Sequence, residues 1–174
     1  MATSPSTLNY SVLKGIVKFT PTNGIERDMG NAPEFELTPA IEKLDHFSSR
    51  AGVRSKDKSV VLEKTLNARI VLDEITAENL QLALIGDQVV TNSAGNKEFG
   101  IFAESQVTGR LTFTGTNDVG NRVHLVLPSV SFTPSGSINV ISEEWAQIEV
   151  TAEVLFVEDL DDFGTVEIED EESA

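Results

Sequence analysis

From Ala146 to Val157 the chain alternates without a break, with Ile148, Val150, Ala152, Val154 and Phe156 on one parity and Gln147, Glu149, Thr151, Glu153 and Leu155 on the other. Neighbouring side chains of a strand point to opposite faces, so this pattern makes one apolar and one mostly polar face. At the 100° step of a helix the same residues would scatter around the axis. A sheet with one apolar face has to bury it against a second layer. The segment is also longer than the usual five or six or so residues of a strand, and its edge is a place where a neighbouring sheet could add a strand.

The same period recurs upstream. Val107, Gly109, Leu111 and Phe113 alternate with Thr108, Arg110, Thr112 and Thr114; a turn through Asn117, Asp118 and Gly120 leads to Val123, Leu125 and Leu127, and then to Val130 and Phe132. Pro128 is expected to end or edge that strand, because it has no N–H for a ladder. Near the start, Val12–Thr20 puts Leu13, Gly15, Val17 and Phe19 on one face, and turns follow at 21–24 and 28–33. These patterns predict a mainly β fold: an antiparallel β-sandwich or barrel-like packing with one short α-helix and a long extended loop.

The middle of the chain is more varied. Glu34–Thr38 alternates acidic and apolar residues, and 40–47 reads as strand or irregular backbone ahead of a short helix. Residues 48–64 set Arg50, Arg54, Lys56, Lys58 and Lys64 against Asp57 and Glu63 and offer little to bury, which predicts an arm loop. Connections longer than about a dozen residues inside a domain usually bind something. Leu66, Ala68, Ile70 and Leu72 form another strand face. Thr76 then reads as the N-cap of a helix over 77–85, with Glu78 in its first turn, Leu80, Leu84, Ile85 and Ala77 inward, and Gly86 as its left-handed stop. Residues 88–99 read as a hairpin or exposed loop.

At 174 residues this is one domain with a sizeable core. Residues 1–157 form the β domain, and 158–174, with nine acids and no base, reads as a solvated acidic tail. The polar first eleven residues read as a loose terminus without a secretory signal. No apolar run approaches membrane-span length, and the lack of cysteine removes disulfides and thiolate chemistry. A net charge of −15 argues against gripping a nucleic-acid backbone, although repelling DNA is itself a useful property.

Three stretches together resemble the major tail tube protein of long-tailed, siphovirus-type bacteriophages. They are Gly30, Asn31, Pro33 to Phe35 and Leu37 to Pro39; then Ser48 to Gly52, Arg54, Lys56 to Val61, Glu63 and Lys64; then Leu72 to Thr76, Glu78 to Leu80, Leu82 to Leu84, Gly86 and Asp87. The resemblance covers about a third of the chain. It implies subunits that form six-membered rings through sheet-edge pairing, and rings that stack into a hollow virion tube assembled in the host cytoplasm. The arm would bridge one ring to the next. Expected partners are further copies of the chain, the tape-measure protein, and terminator and baseplate or tip proteins. Double-stranded DNA would pass without specific binding, and no membrane would be engaged. Arg50, Arg54, Lys56, Lys58 and Lys64 are the expected inter-ring contacts, and Glu149 and Glu153 the expected lumen-facing acids. A tube protein of a contractile or secretion apparatus, or a virion decoration or joining protein, is the alternative.

Nothing in the sequence reads as a catalytic, cofactor or metal site. His46 and His124 have neither a carboxylate nor a second histidine at ligand spacing, and the pairs Asp73/Glu74, Glu143/Glu144 and Asp161/Asp162 read as exposed turn and tail acids. The glycine turns do not introduce helices as phosphate loops do. One Trp and one Tyr make a poor platform for a sugar-binding sandwich.

Overall fold

A computed structural model describes residues 7–50, 52–134 and 136–169. The first six residues of the expected loose terminus, Ala51 of the arm and the last five residues of the acidic tail lie outside the described residues. Among the described residues a 3-10 turn at Thr7–Asn9 is followed by ten strands and one α-helix, in order: β1 Gly15–Pro21, β2 Arg27–Asp28, β3 Glu34–Ser48, β4 Ser55–Leu72, α1 Ala77–Ala83, β5 Val90–Thr91, β6 Lys97–Glu98, β7 Val107–Gly115, β8 Arg122–Thr133, β9 Ile148–Val154 and β10 Thr165–Glu169. All pairings are antiparallel. Eight strands form one sheet in the order β2-β1-β7-β8-β9-β4-β3, with β10 on the first half of β8; β5 and β6 form a small separate hairpin.

The alternation read from the sequence holds where it matters for packing. Val17 and Phe19, Leu111, Leu125 and Leu127, Ala68, Ile70 and Leu72, and Ile148, Val150, Ala152 and Val154 are buried in one cluster. The sheet bends so that its two halves share this core, and it does not close into a barrel. Phe19 meets Phe132 edge-on at 5.0 Å, and Phe35 of β3 meets Phe113 of β7 at 5.7 Å. A side chain at Gly109 would collide with the Phe19 ring and the Thr20 carbonyl, so glycine is what lets that ring lie over β7.

Several expectations are corrected. Pro128 does not end β8. Gly109 pairs with Val130 and Leu111 with Leu127, so Arg110 faces two residues, Pro128 and Ser129, across a bulge. On the other side β10 stops at Val126 and β9 begins at Val130. Proline therefore sits where the ladder is interrupted and no donor is required. The bulge also flips the inward parity, from Leu125 and Leu127 to Val130 and Phe132.

The strand expected over 146–157 is shorter, and it is internal. β9 pairs with β4 on one side and β8 on the other, so it has no free edge for most of its length. Phe156 is half-exposed against Phe163 and outside the main core. The acidic segment is also partly built in: Val157 bridges to Asp162, and β10 docks along Arg122–Val126.

Helix α1 starts at Thr76 as expected, with the hydroxyl accepting from the Asn79 N–H at 3.1 Å. Its inward face is Asn79, Leu82 and Ala83, and Leu80 and Leu84 are only half-buried. The left-handed residue after it is Ile85, with φ 46°, and not Gly86. The Gly86 N–H bonds the Gln81 carbonyl, closing the helix as a Schellman turn. Gly86 is needed for a different reason: a Cβ there would strike the Phe99 ring and the Gly100 carbonyl.

Candidate functional site

Strand β4 has β9 beside it only from Leu66 to Leu72. From Thr65 outward β3 and β4 have only each other, through a ladder from Ala40↔Thr65 to Ser48↔Ser55. Pro39 to Ser48 is nine steps, so this two-stranded arm reaches about 30 Å beyond the sheet. Every described residue from Thr38 to Lys64 is exposed except Ser48, which is half-buried at the end of β3.

The expected arm over 48–64 is thus mostly strand. β3 runs on to Ser48, and the segment from Ser55 onward is the outer half of β4. Nor does the arm have little to bury. Ile41, Leu44, Val53, Val60, Val61 and Leu62 are all exposed, with Leu44 directly across from Val60. An isolated two-stranded hairpin is marginal in water, and exposed apolar surface of this kind marks an interaction site.

The five basic residues named from the sequence all lie on this arm. Arg50 and Arg54 are in the turn, Arg54 with its guanidinium 5.7 Å from the Phe47 ring centroid. Lys56 is paired to Asp45 at 2.7 Å, Lys58 lies across from His46, and Lys64 across from Ile41 near the base. The Lys56 hydrogen bond, with that of Ser59, holds the Asp45 carboxyl below its usual value. His46 contacts Asp57 at 2.6 Å. Six basic side chains against four acidic ones between Thr38 and Lys64 make the arm the basic part of an acidic chain.

Glu149 and Glu153 do share the polar face of the sheet, as their parity required. Glu149 is not a lone wall acid. Arg69 of β4 gathers Glu149 at 2.7 Å, Glu34 at 2.7 Å and Glu36 at 3.2 Å, one cation across three strands. Glu153 stands exposed, in register between Asn67 and Ser131.

A second set of contacts ties the helix to the sheet. Asn79 is 1% exposed; its amide donates to the Met29 and Glu74 carbonyls at 2.9 and 3.0 Å, and its oxygen accepts from Arg27 at 2.8 Å. Arg27 also reaches the Glu78 carbonyl. Burial lowers the Arg27 pKa from its usual value, with Glu78 and Asp28 opposing. Glu78 is paired to Lys97 of β6, and that hydrogen bond lowers its carboxyl pKa.

Sequence reasoning missed the apolar half of the arm. The run Val60, Val61, Leu62 was visible, and so was Leu44 at the matching distance across the Ser48–Ser55 turn. Among the described residues no group of three or more His, Asp or Glu is placed to hold a metal ion. His124 lies 3.3 Å from Glu169 at the β8–β10 ladder, so each histidine does have a carboxylate beside it, brought there by strand pairing from 11 and 45 positions away. Among the described residues no helix is long and apolar enough to cross a membrane.

Residues 10–95 match a family described as "Protein of unknown function UCP028589". The match spans just under half of the chain and takes in β1 to β5, including the whole arm and α1. No curated protein matches the chain.

Proposed function

We propose that this chain is a non-catalytic structural subunit that forms stacked rings, with six copies per ring, of a bacteriophage tail tube. The observation that carries the reading is the arm: about 30 Å of unsupported hairpin, apolar on its flanks and basic at its tip, on a subunit of net charge −15. Such a projection gains by being covered, and the acidic body of another copy is the complementary surface. The resemblance of residues 30–87 to tail tube proteins supports the same role. The arm bridges one ring to the next, and the tape-measure protein and double-stranded DNA occupy the channel. Terminator and baseplate or tip proteins close the ends. The acidic polar face around Glu34, Glu36 and Glu153 suits a wall that does not adsorb phosphates. The open strands left in the sheet for edge contact within a ring are β2, β3 and β10, since β9 is paired on both sides.

Replacing Arg50, Arg54, Lys56 and Lys58 together by serine tests this. Electron microscopy is expected to show tubes shortened or lost, with circular dichroism and melting close to wild type, because none of the four touches the core. Tubes of wild-type length from that variant would contradict the arm's role. Assembly should also vary with salt, because surface charges separated by more than about 8 Å are screened at physiological ionic strength.

A further inference from the structure

The connection between β8 and β9 holds the barest large apolar side chains of the body: Val140 at 93% exposed, Ile141 at 95% and Trp145 at 95%. Glu143 and Glu144 lie between them. Elsewhere, the open side of the bent sheet leaves an apolar groove of about 390 Å³. Leu13, Phe35, Leu37, Phe113, Val123 and Val166 line it, and Lys14 is its one charged lining residue. The acids of the flanking strands alternate away from it: Glu34 and Glu36 turn to Arg69 on the other face, and Glu167 is out of parity with Val166.

We propose that the 140–145 loop of one copy docks in this groove of the next, with Trp145 and Ile141 against the apolar wall and the Glu143/Glu144 pair meeting Lys14. Charge selects the loop over the arm as occupant, because the arm brings a basic tip to a groove whose only charge is basic, whereas the loop brings two acids. The projection and the groove are different patches of one surface. Their contact is therefore heterologous and repeats from copy to copy, closing into a ring when the rotation permits. The inference rests on the reading of the chain as a ring-forming subunit and names the contact within the ring.

The chain has no cysteine and one tryptophan, so both partners can be watched. Trp145→Cys and Leu37→Cys chains, each made separately and then mixed under oxidising conditions, are expected to cross-link only to each other. In the unsubstituted chain, Trp145 emission is expected to shift to the blue on assembly, with several-fold weaker acrylamide quenching. Lys14→Glu should weaken ring formation, and adding Glu143→Lys and Glu144→Lys should restore it. Rings in which Trp145 quenches as in the monomer would overturn the contact and leave the subunit reading standing. So would Trp145→Cys linking to itself, L37C linking to a Leu44→Cys arm instead, or a blue emission already present in the monomer, which would mean that the loop occupies its own groove. A chain monomeric at every concentration and salt would overturn the subunit reading itself.

Discussion

Asn79 shows why some side chains matter more than their chemistry suggests. It is an amide on a seven-residue helix, yet it satisfies two backbone carbonyls and orients the guanidinium that locks β2 to the helix. Asn79→Ala leaves those carbonyls and Arg27 short of partners in a dry place. It is expected to lower stability by about 2–4 kcal/mol, since each buried polar group left unsatisfied costs roughly 1–3 kcal/mol; urea unfolding of the two chains measures it. A loss under about 0.5 kcal/mol, the range of ordinary surface changes, would contradict the assignment. The sequence could not reveal this role, because Arg27 and Met29 lie some fifty positions away. The Thr76 cap was legible because its partner is three residues on. The Ile85/Gly86 exchange falls between these cases. A glycine after a helix suggests a left-handed turn, but a ring docking from Phe99 requires the same residue.

Among the elements, the strands that build the core were the readable ones, since burial on one face writes its period directly into the sequence. The arm was read as a loop and not as paired strands, for a geometric reason. Its ladder shifts register between Glu42 and Lys43 and again between His46 and Phe47, leaving Leu62 and Asp57 as extra residues on β4. Each bulge resets the parity, so no continuous alternation survives to be seen. In β10 the alternation of Val166 and Ile168 with Glu167 and Glu169 was present, but the acidic composition around it suggested a solvated tail. Two carboxyls held low by lysines make the small elements acid-sensitive: Asp45 on the arm with Lys56, and Glu78 on α1 with Lys97 of the β5–β6 hairpin. A depressed folded-state pKa gives stability that is complete above the unfolded value, about 4, and drains away as pH falls through the folded value. Melting temperature should therefore hold from pH 7 to 5 and decline below about 4. Glu78→Gln should lower it at pH 7 and converge with wild type in acid. A constant difference between the two at every pH would contradict the pairing.

At the scale of the whole molecule, a well-packed core coexists with surfaces that are unfinished in a single chain. The arm stands clear of its own sheet, the groove beside Phe35 and Phe113 is open, and Trp145 touches little. The apolar core explains why the domain folds; the uncovered parts are where the proposed ring and tube contacts would form. The most direct measurement is the mass of the purified chain by sedimentation from micromolar to millimolar concentration and across salt, with electron microscopy of the heaviest fraction. The account predicts a concentration-dependent passage from single chains to six-membered rings and then to hollow tubes. A single species of 18.9 kDa throughout, with the arm's amides already protected from hydrogen exchange, would contradict it.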